Sequence, residues 1–196
     1  MDALLPLMSF AFMSSITPGP NNLMLSASGV AFGMQKTLPH ILGVVLGFAF
    51  LLALCGSGVG AFMVEFPPAA IALKLLGSVY LLYLAWAMRN AFAVKAQRAG
   101  ARPFSFVQAF LFQFANPKAW VMGLTAASVF LPQLGVGWAA LLTLCVVFAA
   151  VGTPCIVLWT ALGVTARRFL AGPRAQAACG AAIFALMVIT VIAIWL

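Results

Sequence analysis

Acidic side chains are almost absent from this sequence. Asp2 and Glu65 are the only two among 196 residues, and His40 is the only histidine. A metal transporter would need clusters of histidine and carboxylate side chains, which so few residues cannot supply. The long apolar segments contain no acidic residue at all, so the carboxylate relay of many proton-coupled carriers is missing. The sequence therefore predicts no metal site and no cofactor.

Paired cysteines are also missing. Cys55, Cys145, Cys155 and Cys179 stand singly in apolar segments, without the Cys-x-x-Cys spacing of zinc sites and redox pairs. We interpret them as small buried apolar side chains. A thiol–disulfide carrier would need cysteines at the helix breaks described below, which excludes that class. An intramembrane hydrolase would need a G-x-S-x-G motif and a suitable histidine. No enzyme is predicted.

Apolar residues make up most of the sequence. They account for 65% of the chain, charged residues for 6%, and the mean hydropathy is +1.17. Soluble domains are far more polar. A transmembrane helix needs about 20 apolar residues, and the runs here are long enough, whereas the strands of a membrane barrel are short and alternating. The composition predicts an all-α polytopic membrane protein, with one transmembrane domain over residues 1–196 in a lipid bilayer.

Six membrane-spanning helices are predicted from the apolar runs and their breaks. Their approximate bounds are 3–32, 38–63, 69–92, 105–131, 138–163 and 176–196. The first is expected to be retained rather than cleaved as a signal peptide. Pro39 is predicted to open the second helix, residues 65–68 and 131–137 to form turns, and Gly152-Thr153-Pro154 to kink the fifth helix.

The positive charges predict the orientation. The formal net charge is +8, but most of the ten lysines and arginines collect near Lys36 and at or after the ends of the third and fifth helices. These loops share one side of the membrane, which is the positive-inside pattern and not a surface that binds nucleic acid. The basic side is then cytoplasmic, and six spans place both termini outside.

Helices 1 and 4 are each interrupted by proline next to asparagine, at residues 17–20 and 116–118. Pro18 and Pro117 are 99 residues apart, and Gly77 and Gly180 in helices 3 and 6 match at nearly the same distance. Three spans separate the breaks, so the pattern predicts a 3+3 inverted repeat with halves at about 1–95 and 103–196. Two unrelated proline kinks are the alternative, because proline is frequent in membrane helices.

Lys118 is the one charged residue placed near the middle of a span, where it costs about 2.5–3.5 kcal/mol. This cost favours a cavity-facing role over snorkelling to the interface. If the two breaks face each other, half-helix N-termini converge on one point, which suits a carboxylate. A zwitterionic amino acid is the predicted ligand, its ammonium meeting carbonyls freed at the breaks. The predicted substrate-binding residues are Thr17, Pro18, Gly19, Pro20, Asn21, Asn22, Gln113, Asn116, Pro117, Lys118 and Trp120.

The two broken segments, residues 17–22 and 113–119, resemble the paired signatures of the LysE/RhtB amino-acid exporter family. Gly47-Phe48, residues 131–133 and residues 152–159 look most like its cysteine and O-acetylserine exporter branch. The resemblance implies secondary-active efflux of amino acids or their derivatives, of the cysteine, O-acetylserine, homoserine and threonine class. It also implies a bacterial inner-membrane location and a coupling ion. Many members carry an acidic residue near the position of Phe48, which this sequence lacks.

Other functions stay open at this point. A non-transporting membrane scaffold or sensor is one alternative, although it would not require a costly central lysine. An exporter of a different small metabolite is another. If protons drive transport, their carrier would be Lys118, the substrate, or an end group such as Glu65 or His40. The pairs Gly43 with Gly47 and Gly56 with Gly60 predict close helix packing and would permit a homodimer.

Overall fold

A computed structural model describes residues 3–59, 65–88, 102–135, 137–170 and 172–195. These residues form seven α-helices and no strand, which confirms the all-α class for this part of the chain. The helices are α1 (Leu4–Ile16), α2 (Pro20–Leu54), α3 (Pro67–Met88), α4 (Phe106–Ala115), α5 (Pro117–Leu134), α6 (Trp138–Ala166) and α7 (Pro173–Trp195). A π-helical turn, Cys55–Val59, follows α2.

Three segments of the described chain are long and apolar enough to cross a membrane. They are Pro20–Gly58, Trp138–Ala166 and Arg174–Ala193. The helices α1 and α4 are also apolar but shorter, because each ends at one of the breaks. Large apolar side chains stand exposed on the outside of the bundle, among them Leu5, Leu76 and Trp138. In a membrane protein these residues face lipid.

The helix α2 consists of two arms, residues 20–32 and 34–54, that meet at Gly33. Gly33 has φ 79° and ψ 173°, a left-handed conformation that glycine adopts without steric penalty. The hydroxyls of Ser28 and Thr37 lie 2.9 Å apart across this bend, although a straight helix would separate the two residues by about 13 Å. The chain therefore reverses at Gly33. The prediction that Pro39 opens the second span is wrong, since Pro39 lies inside the second arm.

The bundle is centred on α2, whose most extensive contacts are with α6 and then α4. Glycines make these contacts close. A Cβ at Gly29 or Gly163 would collide with the backbone of the partner helix where α2 crosses α6. A Cβ at Gly43 or Gly47 would collide with α4, so the close packing predicted for this pair is confirmed. The helices α3 and α7 pack against each other beside this centre.

Two predicted turns differ in the structure. Pro67 and Pro68 begin α3 instead of forming a turn, because proline fits the first turn of a helix. Pro132 lies within α5, which ends two residues later before Gly135, a residue with φ 108°. The helix α6 is continuous through Pro154, and the kink at this proline stays a prediction. A spanning helix tolerates the one backbone hydrogen bond that a proline removes. Residues 89–101, which include most of the predicted basic loop at 93–104, lie outside the described residues.

Candidate functional site

Both predicted helix breaks are present, and the second is the shorter. The helix α1 ends at Ile16, and α2 begins at Pro20 after an extended Gly19. Between α4 and α5 a single residue, Asn116, leaves the helical conformation, with φ −96° and ψ 104°. Each restarted helix begins with a proline, Pro20 or Pro117. Proline has no backbone N–H, and the first N–H of a helix has no acceptor within the helix, so no hydrogen bond is lost. The helices that follow the two breaks start at Pro20 and Pro117, which are 97 residues apart. The sequence pattern instead matches Pro18 with Pro117, 99 residues apart.

Lys118 brings the two breaks together. From the first turn of α5 its Nζ donates to the carbonyl oxygen of Thr17 at 2.9 Å, to the hydroxyl of Thr17 at 2.9 Å and to the carbonyl oxygen of Pro18 at 3.3 Å. Gly19 leaves room for this approach, since a Cβ there would lie 2.8 Å from Cδ of Lys118. An ammonium group is favourable at this place, where the carbonyl ends of α1 point outward.

A second bridge joins the breaks through amide groups. The Asn21 amide donates to Oε1 of Gln113 at 2.8 Å, and the Gln113 amide donates to Oδ1 of Asn21 at 3.1 Å. Gln113 is fully buried, and its amide also donates to the carbonyl oxygen of Ala109 at 2.9 Å. The start of α2 is thereby fixed against α4. The two broken segments therefore contact each other.

Asn22 and Trp159 also donate hydrogen bonds to carbonyl groups at the end of α1. The side-chain amide of Asn22 donates to the carbonyl oxygens of Ser15 at 2.8 Å and Thr17 at 2.9 Å. The indole of Trp159, on α6, donates to the carbonyl oxygen of Ile16 at 3.0 Å. The role of Trp159 was not predicted, and nothing in the local sequence around it indicates a partner 143 residues away.

The second break is hydrogen-bonded by its own neighbours. The Asn116 side chain accepts from the backbone N–H of Lys118 at 3.2 Å and so caps the start of α5. The indole of Trp120 donates to the carbonyl oxygen of Phe114 at 3.0 Å. By contrast, Gly19 gives the start of α2 no side-chain cap. The positive end of the α2 dipole is therefore left for other groups.

A cavity of about 70 Å³ lies beside the breaks, between α1, α2, α5 and α6. Because one water molecule needs about 10–15 Å³ of such space, the cavity has room for a small solute. Six of the eleven predicted residues line it, namely Gly19, Pro20, Asn21, Asn22, Asn116 and Lys118. The other five stand outside its lining. Thr17, Pro18 and Gln113 contact the lining residues, Pro117 starts α5, and Trp120 caps α4.

The rest of the lining is mainly apolar and was not predicted. These residues are Val44, Val45, Phe48, Ala49, Ala119, Met122, Cys145, Phe148, Ala149, Gly152 and Ile156, with hydroxyls from Ser14, Ser15 and Thr153. Those from α6 recur every three or four residues, the period of one helix face. That period could have been found in the sequence, but α6 is apolar on its lipid side too, so the pattern does not single out this face.

His40 lies apart from the cavity. It is buried against the ring of Phe104, whose centroid is 5.4 Å away, and neither ring nitrogen has a hydrogen-bond partner among the described residues. The side chain is 1% exposed. Within the described residues no group of three or more histidine, cysteine or acidic side chains could hold a metal ion.

Comparisons with known proteins show the family of this chain. The family model described as LysE type translocator matches residues 12–196. Cysteine/O-acetylserine efflux proteins of Escherichia coli strain K12 and of Shigella flexneri are each 32% identical to this chain over 158 residues, which cover 79% of this chain and 79% of each relative. No solved structure matches the chain. The chain therefore belongs to the LysE family of translocators, which are membrane proteins.

Proposed function

We propose that this protein exports small amino acids or their derivatives, of the cysteine, O-acetylserine, homoserine and threonine class, from the cytoplasm across the bacterial inner membrane. One observation carries the proposal: two helix breaks meet at the polar end of a small cavity whose other walls are apolar. Paired broken helices at a binding site are typical of secondary transporters. Membership of the LysE family and the named activity of the relatives support the same function.

The polar end of the cavity suits the backbone part of an amino acid. The uncapped start of α2 offers the N–H groups of Asn21 and Asn22 to a carboxylate, and the ammonium of Lys118 lies beside them. A carboxylate would make a stronger partner for that ammonium than the carbonyl groups it now contacts. The substrate ammonium would find hydroxyl oxygens of Ser15 and Thr153 in the lining.

The proposal includes six spans arranged as an inverted repeat in one domain, with halves at about 1–95 and 103–196. The first span is α1 with the first arm of α2, the second is the other arm, and α3 is the third. The second half would follow as α4 with α5, then α6, then α7. The contact between the breaks of spans one and four, and the packing of α3 on α7, support this arrangement. Transport would be secondary-active and coupled to an ion, with Lys118 or the substrate carrying any proton.

Efflux from loaded vesicles tests the function. Vesicles containing the protein are loaded with labelled cysteine, O-acetylserine, homoserine, threonine or lysine, and release is followed with and without an imposed proton gradient. We expect faster release of the neutral substrates than from empty vesicles, and a dependence on the gradient. Rates equal to those of empty vesicles for every substrate would show that the protein is not an exporter of this class, and would favour a scaffold or sensor.

Thiol labelling tests the orientation. On a background without the four native cysteines, Lys36→Cys and Arg168→Cys are compared with Trp138→Cys, all three at exposed positions. A reagent that cannot cross the membrane should label the first two only from the cytoplasmic side and the third only from outside. Labelling of Lys36→Cys and Arg168→Cys from opposite sides would contradict the six-span arrangement.

A further inference from the structure

Two aromatic rings close the apolar end of the cavity. Phe48 on α2 and Phe148 on α6 both line it, with ring centroids 5.4 Å apart and planes at 55°. Phe148 also contacts the ring of Phe10 on α1, at 6.1 Å between centroids. Behind the rings lies a buried apolar cluster that includes Leu7 and Leu144. The rings are therefore firmly supported and do not yield easily to a bulky solute.

One turn of α5 separates the cation from a residue that packs against the same cluster as the rings. On α5, Lys118 and Met122 both line the cavity, and Met122 packs against the same apolar cluster as Phe48. Four residues along a helix span about 6 Å. A ligand held by its carboxylate at Lys118 thus has roughly one helical turn of length before its side chain meets the rings.

Small residues give the cavity its remaining width. Ala149 and Gly152 line it from α6, and Gly152 lies against Ser15, since a Cβ there would be 3.1 Å from the Ser15 hydroxyl oxygen. Ala149 follows Phe148 directly in the chain. Any larger side chain at position 149 would therefore occupy the space next to the rings.

The cavity holds no counter-charge for a charged side chain. Within the described part of the chain, Lys118 is the one charged residue of its lining. A cationic side chain would be buried without a partner, and a second carboxylate would find no second cation, both of which are costly in an apolar site. An uncharged side chain carries no such penalty.

Resting on the proposed function, we propose that Phe48 and Phe148 form the side-chain subsite of this exporter and, with Ala149, limit its substrates to amino acids with uncharged side chains no larger than that of O-acetylserine. The side chains of cysteine and serine, two heavy atoms long, fit between the cation and the rings. The ring of phenylalanine collides with them. In an apolar pocket a difference of one methylene changes discrimination by about 10-fold or more.

The test measures substrate preference in the full-length protein. Vesicles are loaded with equal mixtures of labelled cysteine and phenylalanine, and the ratio of the two efflux rates is recorded. Phe48→Ala should raise the phenylalanine-to-cysteine ratio about tenfold or more. The matched control is Phe50→Ala, two residues along the same helix, whose ring is 51% exposed and contacts Phe110 outside the cavity. We expect the control to keep the wild-type ratio.

A second pair of variants changes the pocket in the opposite direction. Ala149→Leu should reduce efflux of O-acetylserine far more than that of alanine, because the added side chain shortens the space next to the rings. Its control is Ala150→Leu, at the neighbouring exposed position. Phe148 is 3% exposed and supports the core, so the variant tested at this position is Phe148→Leu instead of Phe148→Ala. A raised phenylalanine-to-cysteine ratio is again expected.

The outcomes separate this inference from the proposed function. Wild-type vesicles that release none of the amino acids would reject the proposed function itself. Active wild type with unchanged substrate ratios in Phe48→Ala, Phe148→Leu and Ala149→Leu would overturn the subsite. Ratios that shift equally in Phe50→Ala or Ala150→Leu would also overturn it, because the effect would then not come from the cavity.

Discussion

The two helix breaks contain similar residues but are stabilised in different ways. At the first break, the carbonyl groups that end α1 accept hydrogen bonds from Lys118 on α5 and Trp159 on α6, as well as from nearby Asn22. At the second, Asn116 and Trp120 supply the caps from the same short stretch of chain. The first break therefore depends on distant parts of the protein, whereas the second is held by local contacts.

From this difference we expect the C-terminal end of α1 to be released more easily than the second break. That end of the 13-residue helix is attached to its surroundings by side chains of two other helices. The segments α4 and α5 are separated by one non-helical residue and are capped locally, so we expect them to move together. A substrate carboxylate that draws Lys118 away from Thr17 and Pro18 would loosen the first break and leave the second unchanged.

Removing the lysine should have the largest effect. In Lys118→Met the hydroxyl of Thr17 and the carbonyl of Pro18 lose Lys118 as their donor, while the carbonyl of Thr17 keeps its hydrogen bond from Asn22. We expect efflux to fall roughly 100-fold while the protein still inserts, as measured by its amount in the membrane fraction. The control is Lys74→Met, since Lys74 lies over the Trp195 ring at 5.8 Å, away from the cavity. Wild-type efflux in Lys118→Met would mean that the link between the breaks is not needed.

The sequence was sufficient to locate both breaks and this lysine. Proline beside asparagine in an apolar run marks a helix that stops and restarts, and a charge within such a run needs a compensating partner. It was not sufficient to identify the donors that meet the first break. The partners Asn21 and Gln113 are 92 residues apart, and Trp159 and Ile16 are 143 apart. Such pairs are set by helix packing, which local patterns do not contain.

The cavity walls and the bend in α2 could not be predicted from the sequence for a different reason. In a membrane both the lipid-facing and the inward-facing positions are apolar, so nothing distinguishes Phe48, which lines the cavity, from Phe50, which faces outward. The bend required a positive φ, and Gly33 supplies it. Because the chain has 17 glycines and tolerates proline within helices, neither residue type alone marks the turn.

Crowding the lysine should have a smaller effect than removing it. In Gly19→Ala the new Cβ would lie 2.8 Å from Cδ and 3.0 Å from Nζ of Lys118, so the flexible side chain must shift. We expect about a tenfold loss of efflux, equivalent to about 1.4 kcal/mol. Gly172→Ala is the control, since a Cβ there meets nothing within 4 Å. In the Lys118→Met background, Gly19→Ala should cause no further loss. A full additional tenfold loss would show that Gly19 acts independently of the lysine.

The amide bridge between the breaks should be measurable as a coupling energy. Asn21→Ala leaves the buried Gln113 amide partly unpaired, at a cost of about 1–3 kcal/mol of unfolding free energy. Gln113→Ala leaves the Asn21 amide, which is only partly buried, and should cost less. The double variant should cost less than the sum of the two, with a coupling of about 1 kcal/mol. Denaturant unfolding in detergent measures all four proteins of the cycle. Strict additivity would mean that the two amides do not stabilise each other, and that Lys118 alone connects the breaks.

The variants with the smallest expected effect compare the two breaks most directly. Trp159→Phe and Trp120→Phe each remove one indole N–H, which caps Ile16 at the first break and Phe114 at the second. Each change should lower the unfolding free energy by about 1 kcal/mol, because the same kind of hydrogen bond is lost. Efflux should change only in Trp159→Phe, since only the first break depends on contacts between distant helices. If the two variants transport alike, the first break is no more mobile than the second, and the local or distant origin of a cap has no bearing on transport.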